Sequence, residues 1–88
     1  MGNVSVIYRL LPENVDIDIE KIMEEVRNVL PNDVSVRGMQ VKDVAFGLKE
    51  VIVAVLMKDE GGKSEEVEKA LSSIPGVGSV DVLDLTLV

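Results

Sequence analysis

Side chains able to do chemistry are few in this sequence, and carboxylates supply nearly all of them. The adjacent acidic pairs are Glu24-Glu25, Asp59-Glu60 and Glu65-Glu66. Paired carboxylates perform acid–base work when their surroundings push their pKa values apart. Hydrophobic periodicity instead puts Glu24-Glu25 and Glu65-Glu66 on the solvent sides of helices, where such groups solvate and cap. Asp59-Glu60 lies in a turn with too few oxygen ligands nearby for a dedicated cation site. Cysteine and histidine are absent, which removes disulfides, thiolate metal sites, Cys or His nucleophiles and imidazole proton shuttles. Gly61-Gly62 and Gly76-Val77-Gly78 lack the Gly-x-x-x-x-Gly-Lys context of a phosphate cradle and read as turns. No bond chemistry, cofactor or metal is expected.

Two features survive this elimination. Phe46 is one of only two aromatic residues and falls between strands, beside Gly47. A loop phenylalanine either plugs the end of a sheet or stands out as an anchor for a partner, and both readings stay open here. Lys42 and Lys49 flank it and suggest a positive rim. The other feature is the sheet face away from the helices, where Ile52, Ala54, Leu56 and either Ile7 or Val6 are aliphatic beyond what a wet face needs. Such a surface marks a partner or a dimer contact, or merely stiffens a small domain.

The elements that position these residues follow from periodicity. Val4 to Leu11 alternates as a strand and Pro12 ends it. Ile19, Ile22, Met23, Val26, Val29 and Leu30 share one face of a helix from Ile19 to Leu30, with Asp18 as N-cap and Ile17 and Ile22 as a hydrophobic staple. Val34 to Val41 is a strand whose parity flips at Gly38, the mark of a bulge and hence of a sheet edge. Lys42 to Gly47 fits neither period and reads as a loop. Glu50 to Lys58 is apolar on both parities and takes a central position. Ser64 is the expected cap of a second helix ending at Ile74, with Val67, Ala70, Leu71 and Ile74 as its apolar stripe. Ser79 to Leu87 is the last strand, with a second bulge near Leu83-Asp84. The order βαββαβ predicts one α+β domain over residues 1–88, a ferredoxin-like two-layer sandwich. Its four-stranded antiparallel sheet has the first and third strands central and both helices on one face.

Bulk composition narrows the partners. Sixteen acidic against nine basic residues give a net charge of −7, which repels phosphate backbones. Direct nucleic-acid binding is not expected, and two aromatics are too few for base stacking. The longest apolar run, Val51 to Met57, falls short of a membrane span. No basic and apolar leader opens the sequence, so cytoplasm is the expected location.

At Val44-Ala45-Phe46-Gly47-Leu48 the sequence resembles archaeal translation elongation factor 1-beta. The likeness extends to Arg9-Leu10-Leu11-Pro12-Glu13, Asp16-Ile17-Asp18-Ile19-Glu20, Asp59-Glu60-Gly61-Gly62 and Val80-Asp81-Val82-Leu83-Asp84-Leu85, and so covers nearly the whole chain. The resemblance implies a guanine nucleotide exchange factor, not an enzyme, for the GTPase elongation factor 1-alpha, with no cofactor and a monomeric free state. It further implies that the Phe-Gly loop docks on the partner's second domain while the far end of the chain works at the nucleotide site. Carried over by position, the partner-binding residues are Ala45, Phe46, Gly47 and Lys49, with Leu87 and Val88 at the end. Two departures stand out. The penultimate lysine of eukaryotic members is missing from Thr86-Leu87-Val88, and Asp43 replaces a proline frequent in archaeal ones. The competing reading is a small-molecule-binding or dimerising regulatory module of the same fold. An acylphosphatase-like enzyme fails for want of an arginine-bearing phosphate loop.

Overall fold

The computed structural model describes residues 2–88. Six elements follow in the expected order: β1 (Asn3–Pro12), α1 (Ile19–Val29), β2 (Ser35–Ala45), β3 (Leu48–Lys58), α2 (Lys63–Ser72) and β4 (Val77–Leu87). They form one antiparallel sheet ordered β2-β3-β1-β4, so the expected central pair is central and the two bulged strands are its edges. β1 and β3 pair from Asn3↔Lys58 to Leu10↔Val51 with no break in register.

The alternation of β1 is read directly by burial. Val4, Val6, Tyr8 and Leu10 lie beneath the helices with Val51, Val53, Val55 and Met57 of β3, and Ile22, Val26, Val67 and Leu71 close the core from above. The ring of Tyr8 is fully buried, and its hydroxyl donates to the Ser64 carbonyl at 3.3 Å. Burial, reinforced by the nearby Glu68 carboxylate, pushes the phenol up to about 12. On the opposite face Ile7, Ala54 and Leu56 are half-buried and Ile52 is buried, whereas Val6 points inward. Arg9 reaches across that face to Asp81 at 2.8 Å and lies 3.8 Å from Glu50.

Asp18 caps α1 as expected, its carboxylate accepting from the Glu20 amide at 3.0 Å. The cap of α2 differs. Gly62, at φ 81, occupies the N-cap and no side chain accepts there, while Ser64 lies inside the helix. The left-handed Gly62 turns the chain sharply enough to start the helix two residues early. Lys63 then bridges to Asp33 at 2.7 Å and to Glu66 at 3.4 Å, tying α2 to the α1–β2 connection. Asp33 is held below the ordinary carboxylate range by its hydrogen bond to Lys63, and Lys63 is raised in return by the same bond. The helix stops at Ser72, two residues short of the expected Ile74, which remains buried beyond it.

The bulges fall where parity changes. The ladder between β2 and β3 shifts between Val36 and Gly38. That between β1 and β4 shifts where Ile7 faces Asp84 and Tyr8 faces Val82, leaving Leu83 unpaired. Another shift, between Asp43 and Ala45, corrects the loop expected from Lys42 to Gly47. The strand continues through Ala45, and the unmatched Val44 is what hid its period.

Candidate functional site: a strained hairpin tip and the opposite end of the sheet

The β2–β3 connection consists of two residues. Lys42 faces Glu50, Asp43 faces Lys49 and Ala45 faces Leu48, leaving Phe46 and Gly47 as the turn, at φ 52 and φ 80. Two successive positive φ values are the pattern of a type I′ turn, whose twist matches that of the flanking strands. Glycine at the second place costs nothing. Phenylalanine at the first crowds its Cβ against the backbone, at about 1–2 kcal/mol.

No packing within the chain offsets that strain. Phe46 is 101% exposed, so its ring is presented and does not plug the sheet. The stem is held firmly. Two opposite-charge cross-strand pairs of reversed polarity favour this register over a slipped one. They also balance the expected positive rim, since Lys42 and Lys49 each stand across from a carboxylate. Gly47 has open space where a Cβ would project, so a partner's backbone can approach closely.

Beside the tip, the loop from β1 to α1 and the hairpin enclose a cleft of about 260 Å³ lined by Pro12, Asn14, Val15, Asp18, Gly47 and Lys49 among others. Val15 and Val44 are both exposed. With Phe46 they make this end of the molecule apolar. Neither valine belongs to a period, so periodicity gave no sign that either would be presented here.

Leu87 and Val88 lie elsewhere. β4 runs antiparallel to β1, and Leu87 faces Val4 at the other end of the sheet. The Val88 amide donates to the Asn3 carbonyl at 2.9 Å, so the last residues are zipped into the ladder. The molecule measures 43 × 20 × 17 Å. The eleven residues of β3 span roughly 33 Å at a strand's ordinary rise. The structure therefore brings Ala45, Phe46, Gly47 and Lys49 together at one end and Leu87 with Val88 at the other.

Among the described residues no cluster of His, Cys, Asp or Glu could hold a metal ion, and no helix is long and apolar enough to cross a membrane. The geometry at both ends of the sheet offers contact surfaces.

Comparison with known proteins gives the same picture a family setting. The sequence profile of the EF-1 guanine nucleotide exchange domain matches residues 5–88. Elongation factor 1-beta of Methanococcoides burtonii is 40% identical over 85 residues, spanning 97% of this chain and 96% of its own. Elongation factor 1-beta of Methanoculleus marisnigri is 38% identical over 88 residues, with both chains fully covered. Among solved structures, the ACT domain from GTP pyrophosphokinase of Chlorobium tepidum superposes with a TM-score of 0.65 over 92% of this chain and 99% of that one. Its identity is 16%, a likeness of fold alone.

Proposed function

The chain belongs to the elongation factor 1-beta family of guanine nucleotide exchange factors, and we propose that it exchanges nucleotide on elongation factor 1-alpha by gripping that GTPase at two separated points. Phe46 is the anchor at one point, with Ala45 and Gly47 permitting close backbone approach and Lys49 at the rim. Leu87 and Val88 belong to the second, at the nucleotide side. The observation that carries this reading is the phenylalanine held at φ 52 with its ring in solvent. Strain of this kind persists where a function outside the isolated fold uses it.

Exchange of this sort is linkage. A protein that binds the nucleotide-free GTPase more tightly than the GDP-bound form lowers GDP affinity by the same factor that GDP lowers its own. GTP then refills the site and releases the factor. The rate changes and the nucleotide equilibrium does not. Thr86, Leu87 and Val88 carry no cation, so the proposed mechanism does not rest on capture of a phosphate by these residues. Docking distorts the GTPase's own nucleotide loops.

Release of a fluorescent GDP analogue from archaeal elongation factor 1-alpha, chased by excess GTP, tests the proposal. Substoichiometric protein should accelerate release. Absence of acceleration with an active partner would overturn the reading. The free protein should sediment as a monomer independently of concentration, because its net charge of −7 opposes self-association.

A further inference from the structure

The helix layer does not cover the whole sheet. Across β1 the inward residues Val4, Val6 and Tyr8 are closed off completely or nearly so. Their partners one strand outward are Leu87, Leu85 and Val82, which share the helix side yet stand 68%, 52% and 43% exposed. α2 packs against β4 and meets Tyr8 of β1 through the Ser64 carbonyl, and cover along β4 reaches Val77 and Val80 before giving out. Beyond that point an apolar shelf of three side chains lies open beside the helix.

The wall of that shelf is acidic. Lys63 and Glu66 are turned toward Asp33 and the α1 side. Helical spacing puts Glu65 and Glu68 along the other side of α2, toward β4. Glu68 lies close enough to Tyr8, whose partner on β4 is Val82, for its charge to act on the phenol. β4 carries no cation, and its Asp81 and Asp84 lie on the other face of the sheet, opposite Arg9 and Ile7. We propose that the shelf of Val82, Leu85 and Leu87, walled by Glu65 and Glu68, docks a cationic amphipathic segment of the partner GTPase. The inference rests on the exchange reading and gives its second contact point a chemistry. A second copy of this chain is the wrong occupant, because it would bring two acidic walls together on a protein already at −7. A cationic segment meets the wall with its charges and the shelf with its aliphatic stems.

Two variant pairs divide the surface. Glu65→Gln/Glu68→Gln removes the wall charge, and Leu85→Thr/Leu87→Thr removes the apolar floor while keeping strand-compatible side chains. Glu20→Gln/Glu24→Gln on α1 removes the same net charge elsewhere. Association and dissociation with nucleotide-free elongation factor 1-alpha are followed at low and high salt, alongside GDP release and a urea melt of each variant. The wall pair should slow association about fivefold at low salt, with the difference vanishing at high salt. The floor pair should speed dissociation about tenfold at either salt. The α1 pair should match the parent. Unchanged kinetics for both shelf pairs, or equal slowing by the α1 pair, would overturn the shelf while leaving exchange by the parent intact. A parent that does not accelerate GDP release removes the exchange reading itself. Concentration-dependent dimerisation of the parent that the floor pair abolishes would reassign the shelf to self-association and also overturn the proposal.

Discussion

Phe46 and Tyr8, the two aromatic residues, are used in opposite ways. Phe46 sits in solvent on a strained backbone. Phe46→Ala should leave folding stability within about 0.5 kcal/mol, since it touches nothing and alanine inherits the same positive φ. Binding of the GTPase should weaken by about 2 kcal/mol or more, close to thirtyfold, as for a truncated interface anchor. Phe46→Gly should lose binding equally but raise stability by about 1 kcal/mol, because glycine enters the left-handed region freely. Urea midpoints beside binding assays separate these outcomes. Tyr8 is buried, and its folded-state pKa of about 12 stands above the ordinary 10. Below pH 10 the phenol is neutral in both states and the full stability is present. As pH rises from 10 toward 12 the unfolded chain ionises first, and about 2–3 kcal/mol should be lost. As the only tyrosine in a chain without tryptophan, it reports its own ionisation through tyrosinate absorbance. Tyr8→Phe should abolish that part of the alkaline loss.

Elements here end where backbone chemistry requires. Asp18→Ala should cost about 1 kcal/mol, through loss of the bond to the Glu20 amide, visible as a lower melting temperature. Gly76 tests the turn between α2 and β4. It adopts φ 94, and a Cβ built there would lie 2.7 Å from the Cγ2 of Ile17. Gly76→Ala should destabilise by about 1–3 kcal/mol, combining left-handed strain with displacement of a β-branched neighbour. Much at this scale was legible in the sequence. The unbroken alternation of Val4 to Leu10 and the i, i+3, i+4 stripe of α1 each name one buried face. The parity flips at Gly38 and Leu83 named the bulges and therefore the edges. Two features escaped. Val44 adds a residue to β2 that erases its period, so a paired strand resembled a loop. Gly62 caps α2 with backbone geometry alone, a choice that composition cannot distinguish from a serine cap two residues onward. The direction of the Phe46 ring was equally hidden, because a two-residue turn has no periodicity to declare a face.

The whole molecule is a bar with an apolar tip, and its topology put the two groups of expected contact residues at opposite ends before any packing was considered. Its rigidity along that axis comes from the eight unshifted pairs of the β1–β3 ladder. The ion pairs of Lys63 with Asp33 and Glu66 brace the helix layer. Asp33 contributes stability present above its unfolded pKa and lost as pH falls through its depressed folded value. Asp33→Asn should therefore flatten the acid limb of a stability–pH curve. The β1–β4 ladder has a consequence in time as well as in space. Pro12 faces Val77 and Val4 faces Leu87, so a central strand made first waits for the strand made last. At ordinary rates of synthesis the intervening chain takes roughly 3–13 s to emerge. Throughout that interval β1 has a bare flank, and the sheet has one edge too many until β4 emerges from the ribosome.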